Sequence, residues 1–144
     1  MPDMTLDVLS EKMKKIDFAM LSTITDGGLI ASRPMSNNGE VDYDGDSWFF
    51  TYETTRTIRD VTSEPKVELG FSGDKSLLGK PGIFISVQGS AEIIKDKGQF
   101  ESHWTTDLER WFPQGIDTPG MVLLKVHATR IHYWDGEDEG EVAV

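Results

Sequence analysis

The sequence predicts a small, mainly β fold: a β-barrel of short antiparallel strands with two or three flanking helices. Short apolar segments, separated by turns that contain glycine, asparagine and aspartate, are typical of antiparallel sheets. The chain has 144 residues, 38% of them hydrophobic, and a chain of this size buries roughly 70% of its unfolded surface in one core. We therefore expect a single domain over residues 1–136. Residues 137–144 form an acidic segment that we predict to be a disordered tail.

The N-terminal half contains two helix patterns and three strand patterns. Thr5 can cap the first helix, because apolar residues then recur at steps of three and four. Asp26-Gly27-Gly28 offers glycines where a hairpin turn needs them, so the strand after this turn should return antiparallel. Pro65 cannot continue a helix and ends the second one. The predicted elements are a helix starting at Thr5, strands over 18–24, 29–35 and 48–51, and a helix over 55–63.

The sequence of the C-terminal half predicts one helix, with strands before and after it. A stripe of apolar residues at helical spacing indicates an amphipathic helix over residues 95–111; the stripe contains Phe100, Trp104, Leu108 and Trp111. Alternating segments predict two strands before this helix, and two further segments look like a closing pair of strands after it. These strands cover residues 67–71, 83–94, 121–126 and 130–134.

The composition excludes several classes of function. With a formal net charge of -11, the chain is not expected to bind nucleic acid. It has no cysteine, which removes disulfides, thiolate metal sites and cysteine nucleophiles. No apolar run approaches the roughly 20 residues that cross a bilayer, and no signal-peptide core opens the chain. We expect a cytoplasmic protein that does not associate with membranes.

The motifs of common catalytic centres are missing from the sequence. Residues 73–80 resemble a phosphate-binding loop, but the glycines are one residue too far apart and Pro81 replaces the magnesium-binding hydroxyl. A dinucleotide fingerprint and a nucleophile elbow are both absent. His103, His127 and His132 lack the spacing of metal ligands. The sequence therefore predicts no acid–base, nucleophilic or metal site.

Two short segments place arginines at the ends of predicted strands. One carries Arg33, and the other carries Arg56 between Thr55 and Thr57. A guanidinium makes two parallel charge-assisted bonds to a phosphate, and hydroxyls can donate to the remaining oxygens. The alternative is that both arginines are surface residues that pair with carboxylates. The four tryptophans likewise either pack in the core or line a flat slot for an aromatic ligand.

Several short motifs, taken in order, resemble the pyridoxamine-phosphate-oxidase-like flavoproteins, and within them the general stress protein 26 group. The motifs are Arg33-Pro34-Met35, Phe50-Thr51, Arg56-Thr57, Trp111-Phe112-Pro113 followed by Gly115, Asp117 and Pro119, and Ile131-His132-Tyr133-Trp134-Asp135-Gly136. The resemblance spans nearly the whole chain. It implies a split β-barrel that binds FMN, and a homodimer that holds the flavin between its two chains.

The resemblance also implies which residues bind the cofactor. The ring would lie along residues 33–35, the phosphate would meet Thr51 and residues 55–57, and two tryptophans of the partner chain would close the pocket. The implied set is Ser32, Arg33, Pro34, Met35, Phe50, Thr51, Thr55, Arg56, Thr57, Trp111 and Trp134. No catalytic residue is identified.

Two departures from the family pattern affect the expected function. Thr57 stands where a lysine is usual, so Arg33 and Arg56 would have to supply the charge for the phosphate, which predicts weaker or more salt-sensitive cofactor binding. Residues 137–144 contain no basic residue, whereas true pyridoxamine phosphate oxidases carry an Arg-x-His element after the terminal tryptophan. Acids at this place would repel a phosphorylated vitamer, so we do not expect an oxidase of that type.

The resemblance leaves four functions open. The chain is expected to be a flavin-dependent oxidoreductase or a non-catalytic, stress-related flavin-binding module. In an oxidoreductase the flavin would supply the hydride or electron transfer. The same barrel in related families holds F420, whose longer tail would favour more basic residues. A haem-binding protein would require a well-placed axial histidine.

Overall fold

A computed structural model of the chain describes residues 4–37 and 41–144. Within these residues the helices are α1 (Leu6–Met13), α2 (Arg56–Ser63) and α3 (Lys97–His103), with short 3-10 helices at Thr106–Arg110 and Gly115–Asp117. The strands are β1 (Phe18–Ile24), β2 (Ile30–Ser36), β3 (Asp46–Tyr52), β4 (Lys66–Ser72), β5 (Phe84–Ile94), β6 (Met121–Asp135) and β7 (Asp138–Val142). None of the described helices is long and apolar enough to cross a membrane.

The strands form one antiparallel sheet in the order β2-β1-β4-β5-β6-β3. The short strand β7 pairs with the second half of β6, beyond the part that β3 occupies. Two strands, β2 and β3, therefore lie at the two ends of the order and have one neighbour each. The predicted mainly β class, with antiparallel strands and flanking helices, is confirmed.

In the first half of the chain, the caps and the turn predicted from neighbouring residues are present in the structure. The Thr5 side chain accepts a hydrogen bond from the backbone N–H of Val8 at 3.2 Å, which caps α1. The hairpin of β1 and β2 turns through Gly28, whose φ of 78° is a left-handed value that glycine adopts without strain. The second helix is capped in the same way as the first, by Thr55.

The core is organised in rows of side chains that cross the sheet. In the innermost row Leu21, Leu69, Val87 and Ile131 occupy neighbouring register positions on four strands, and each is 0% exposed. Such rows of cross-strand neighbours fix the register, because a slip of one residue would turn every one of these side chains to the other face. The row begins on the edge strand β2 at Arg33, which lies opposite Leu21.

The predicted closing pair of strands is wrong, because β6 is a single strand of 15 residues. Its partner β5 follows it along most of its length through a register shift between Gln88 and Gly89. At this irregularity a Cβ on Gly89 would lie 2.2 Å from the carbonyl oxygen of His127, so only glycine allows the two backbones to approach. The glycine thus keeps the two long strands paired across the irregularity.

The predicted disordered tail is also wrong, because residues 138–142 form β7. Val142 lies opposite Ile131 and is 4% exposed, so the segment contributes to the core. Glu141 pairs with Arg130, and Glu139 lies 3.0 Å from His132, so the acids of the tail find cationic or titratable partners on β6. The ordered part of the domain therefore continues past residue 136.

The single helix predicted over residues 95–111 is divided in two. The α-helix α3 ends at His103, and Trp104 adopts an extended conformation (φ -74°, ψ 139°) before the 3-10 helix begins. The Trp104 ring packs edge-on against Phe50, with the ring centroids 5.3 Å apart. Packing against β3 therefore takes the place of helix continuation at this residue.

We expect Val142→Ala to destabilise the protein by about 1.6 kcal/mol, because it removes two buried carbons worth about 0.8 kcal/mol each. The matched control is Val144→Ala, two residues further on, where the side chain is 55% exposed. Urea unfolding followed by circular dichroism measures both variants. Equal stabilities for the two variants would contradict the buried position of β7.

Candidate functional site

A cavity of about 460 Å³ is lined by both edge strands of the sheet. The end of β2 contributes Pro34, Met35 and Ser36, and β3 contributes residues 48–52. Residues from the segment between α3 and β6 form the third wall; they lie between Thr105 and Phe112. The cavity therefore exists because the sheet leaves two strands without a second neighbour.

An aromatic cluster supports the β3 side of the cavity. The Phe50 ring meets the rings of Phe100, Trp104 and Phe112 edge-on, at centroid distances of 5.7, 5.3 and 6.4 Å. Buried aromatic contacts of this kind hold each ring in one orientation. Trp111 differs, because it lines the cavity while remaining 57% exposed. It is an apolar surface that a ligand or a partner chain could cover.

His103 is a cavity residue that the sequence analysis did not select as a binding residue. Its imidazole stacks on the Trp48 indole, with ring centroids 3.6 Å apart and planes 17° from parallel. Burial lowers the pKa of His103, and the nearby Lys125 acts in the same direction against the opposing pull of Asp44 and Asp46. The imidazole is therefore neutral near pH 7. One feature of the sequence could have identified His103: it lies three residues after Phe100, a spacing that places both side chains on one face of a helix.

The charged groups around the cavity are sparse. Among the described residues that line it, Asp107 is the only one with a formal charge near pH 7, and none is a lysine or arginine. The same described residues contain no group of three or more His, Asp or Glu side chains that could hold a metal ion. The cavity can therefore hold an uncharged aromatic body, while an anionic group must find its partners outside it.

The structure brings only part of the predicted site together at the cavity. Five of the predicted residues line it, and six lie elsewhere. Those at the cavity are Pro34, Met35, Phe50, Thr51 and Trp111; those elsewhere are Ser32, Arg33, Thr55, Arg56, Thr57 and Trp134.

Arg33 points toward the interior rather than into the cavity. Its Nη1 donates to the Thr23 hydroxyl at 2.8 Å and to the Leu21 carbonyl at 3.2 Å. Its Nη2 lies 3.4 Å from Oδ2 of Asp60 on α2, and Asp60 is almost fully buried. The guanidinium of Arg33 is therefore occupied by an internal ion pair in this structure.

Residues 55–57 lie at the N-terminus of α2. The Thr55 hydroxyl donates to the Tyr52 carbonyl at 3.0 Å and accepts from the N–H of Ile58, so it is used as the helix cap. Thr57 is buried, whereas Arg56 is exposed. Among the residues that the structure describes, no carboxylate lies within ion-pair distance of Arg56. Arg56 is therefore the available cation in this segment.

Ser32 and Trp134 lie on the outer face of the sheet. The Ser32 hydroxyl is 2.7 Å from that of Ser22 on the neighbouring strand. The Trp134 ring stacks on His132 at a centroid distance of 4.4 Å and remains 39% exposed. Three other apolar side chains on this face are also exposed: Phe18, Met20 and Phe84. Within one chain, Trp134 does not line the cavity; it belongs to an exposed apolar face that reaches the cavity at Phe18.

Comparisons with known proteins identify the fold and the family. A solved structure described as related to general stress protein 26, from Clostridium acetobutylicum, is 23% identical and matches 94% of this chain and 92% of its own (TM-score 0.78). General Stress Protein 26 from Bacillus anthracis is 24% identical over 92% of this chain and 98% of its own (TM-score 0.68). A heme binding protein from Mycobacterium smegmatis is 10% identical over 98% of this chain and 58% of its own (TM-score 0.76).

The family assignment comes from the sequence model. A search of curated proteins finds no match to this chain. Residues 5–144 match the family model described as "Pyridoxamine 5'-phosphate oxidase like", which agrees with the motifs quoted above and with the split-barrel fold of the structural neighbours. Because this match covers almost the entire chain, the protein belongs to the pyridoxamine 5'-phosphate oxidase-like family.

Proposed function

We propose that this protein binds FMN, with the flavin ring in the cavity between β2 and β3. The observation that supports this most directly is the cavity itself, whose volume of about 460 Å³ lies within the range of about 300–1,000 Å³ that is usual for cofactor sites. Its walls are largely apolar and aromatic, and a few polar groups, including Thr51 and His103, can meet the edge of a ring. The residues present therefore fit a planar aromatic cofactor.

The phosphate of the flavin is proposed to lie at the N-terminus of α2, beside Arg56. The cavity has no lysine or arginine in its described lining, so the charge partner must lie outside it. Only three residues separate Tyr52, which lines the cavity, from Arg56. The free N–H groups of a helix N-terminus favour an anion, and a guanidinium adds charge-assisted bonds. These two groups oppose the repulsion that a chain of net charge -11 exerts on a phosphate.

The cofactor, when bound, would supply hydride or electron transfer. The protein's own residues would orient the ring and exclude water from it. The protein is proposed to be a flavin-dependent oxidoreductase or a stress-related flavin-binding protein. A true pyridoxamine phosphate oxidase is not proposed, because residues 137–144, which follow Trp134, include four acids and no basic residue. Those acids would repel a phosphorylated substrate.

A homodimer is proposed because the outer face of the sheet exposes several large apolar side chains. Phe18 and Met20 on β1, Phe84 on β5 and Trp134 on β6 are between 39% and 59% exposed. Several large apolar side chains exposed on one face of a sheet commonly mark an interface. A second chain on this face would cover Trp134 and could bring it toward the flavin, as the resemblance to the family implies.

Haem is the second candidate ligand, because His103 lines the cavity and offers a neutral imidazole. The heme binding protein with a similar fold gives this candidate a structural precedent. The deazaflavin F420 is a third cofactor to test, although its longer anionic tail would favour cations, which the described residues of the cavity lining do not provide. The three ligands have different absorption spectra, so one set of titrations distinguishes them.

We expect the purified protein to be yellow, or to become so when FMN is added, with one flavin bound per chain. Absorption spectroscopy and mass spectrometry of the released small molecule measure this. A Soret band without flavin absorption would identify haem as the ligand instead. Tighter binding of F420 than of FMN would identify the deazaflavin as the cofactor. A protein that takes up none of the three would refute the proposal.

We expect Arg56→Ala to weaken FMN binding by about tenfold or more. Hydrogen bonds to charged groups contribute about 1.5–3 kcal/mol, and about 1.4 kcal/mol is a factor of ten in affinity. Riboflavin, which lacks the phosphate, should bind this variant and the unmodified protein equally well. The matched control is Arg59→Ala, one turn further along the exposed side of α2. Fluorescence titration measures each Kd, and an equal loss in both variants would argue against a specific contact.

We expect Met20→Glu to weaken the homodimer by about tenfold or more, because a charge within an apolar interface must be desolvated without a partner. The control is Leu29→Glu, which changes a more exposed apolar residue (71% against 46% for Met20) at the turn between β1 and β2. Sedimentation equilibrium gives the dissociation constants. A monomeric unmodified protein, or equal effects of the two substitutions, would exclude this face as the interface.

A further inference from the structure

We propose that Arg33 and Asp60 are positioning residues: their ion pair clamps the edge strand β2 to α2, and Arg33 does not itself contact the cofactor phosphate. This inference rests on the proposed flavin site, because β2 provides one wall of the cavity and α2 carries Arg56. The clamp would set the distance between the part of the site that receives the ring and the part that receives the phosphate. Asp60 is the residue that gives Arg33 this role.

The contacts of Arg33 join three elements. From β2 it donates to Thr23 and to the Leu21 carbonyl, both on β1, and its Nη2 reaches Asp60 on α2 at 3.4 Å. The Thr23 hydroxyl completes the arrangement by donating to the same Asp60 oxygen at 2.7 Å. Thr23 is fully buried, and the side chains of Arg33 and Asp60 are 19% and 4% exposed. The network is thus closed, and it lies inside the protein.

Burial makes it costly for Arg33 to leave Asp60. If the guanidinium turned toward a phosphate, the Asp60 carboxylate would stay buried with only the Thr23 hydroxyl as a donor among the described residues. An uncompensated buried charge is more destabilising than the pair itself is stabilising. A phosphate that recruited Arg33 would therefore have to offset this penalty, whereas Arg56 is exposed and carries no such penalty.

The position of Arg33 in the sheet explains why a clamp is useful there. The arginine lies opposite Leu21, at the β2 end of the innermost core row. Among the strands that the structure describes, β2 has only β1 as a neighbour, so no described strand pairs with the other side of its backbone. The next two residues, Pro34 and Met35, line the cavity. A displacement of β2 would therefore move the wall of the cavity directly.

The helix depends on the same pair. Asp60 lies one turn after Arg56, and α2 has only eight residues, so few contacts determine its direction. Its buried apolar residues Ile58 and Val61 provide nonspecific packing, whereas the Asp60 carboxylate has directional partners on β1 and β2. Directional bonds to a buried charge fix orientation better than apolar contacts do.

The test compares FMN and riboflavin binding in three variants. Arg33→Met and Asp60→Asn each break the pair, and the double variant Arg33→Met/Asp60→Leu replaces it with apolar side chains and leaves no buried charge. We expect each single variant to weaken FMN and riboflavin binding by the same factor, about tenfold. The double variant should recover most of the affinity for both ligands. The control is Lys97→Met/Asp117→Asn, which removes an exposed ion pair and should change nothing.

A direct phosphate contact from Arg33 gives a different pattern. In that case Arg33→Met would weaken FMN binding while leaving riboflavin binding unchanged, and the double variant would not recover. Asp60→Asn would then bind FMN as tightly as the unmodified protein or more tightly, because it releases the guanidinium. Either result would overturn the proposal.

Amide hydrogen exchange in the ligand-free proteins provides a readout that does not need a flavin. The single variants should exchange faster than the unmodified protein in residues 30–36 and 56–63, and the double variant should restore the protection. If the unmodified protein binds no flavin, the proposed function fails, and this measurement still decides whether the clamp exists. Unchanged exchange in the single variants would refute it. Circular dichroism shows whether each variant is folded.

Discussion

The site depends on one constraint: in the described part of the chain, the sheet ends in two strands, β2 and β3, that each have a single neighbour. Unpaired strand edges attract other chains or ligands unless the protein covers them. Here β3 is supported by the aromatic cluster around Phe50, and β2 by β1 and the ion pair from Arg33 to Asp60. The gap between two separately supported edges remains as a cavity. The same feature that leaves the barrel open thus creates the binding site.

Charge is distributed so that a strongly acidic chain can still offer a place for an anion. About half of the lysines and arginines in the described structure pair with carboxylates, as Lys97 does with Asp117 and Arg130 with Glu141, and the others, Arg59 among them, do not. Arg33 is used internally, and Arg56 stands without a carboxylate partner in that part of the chain. The residues described as lining the cavity include no lysine or arginine. Affinity for the ring and affinity for the phosphate therefore come from different elements, and a tether between these elements becomes important.

The sequence predicts those features that depend on neighbouring residues. The cap at Thr5 and the turn at Gly28 act over three or four positions, so their patterns can be recognised in the sequence. The strand β7 could not be predicted from composition, because its acids are stabilised by Arg130 and His132 on another strand. The motifs likewise identify Pro34 and Phe50 at the cavity, while the contribution of His103 depends on its contact with Trp48, which only the folded chain creates.

Arg33 illustrates which structural features a sequence motif predicts and which it does not. A motif places the Cα of a residue at a known point on a strand, but a long side chain can extend in several directions from that point. In this chain the direction is decided by Asp60, which is 27 positions away in the sequence and belongs to no recognised motif. The three residues of the segment Arg33-Pro34-Met35 therefore have different surroundings. The arginine side chain forms hydrogen bonds in the interior, and the two residues after it line the cavity. Recognising a cofactor motif and assigning each of its side chains to the cofactor are thus separate steps, and a buried partner of opposite charge decides the second.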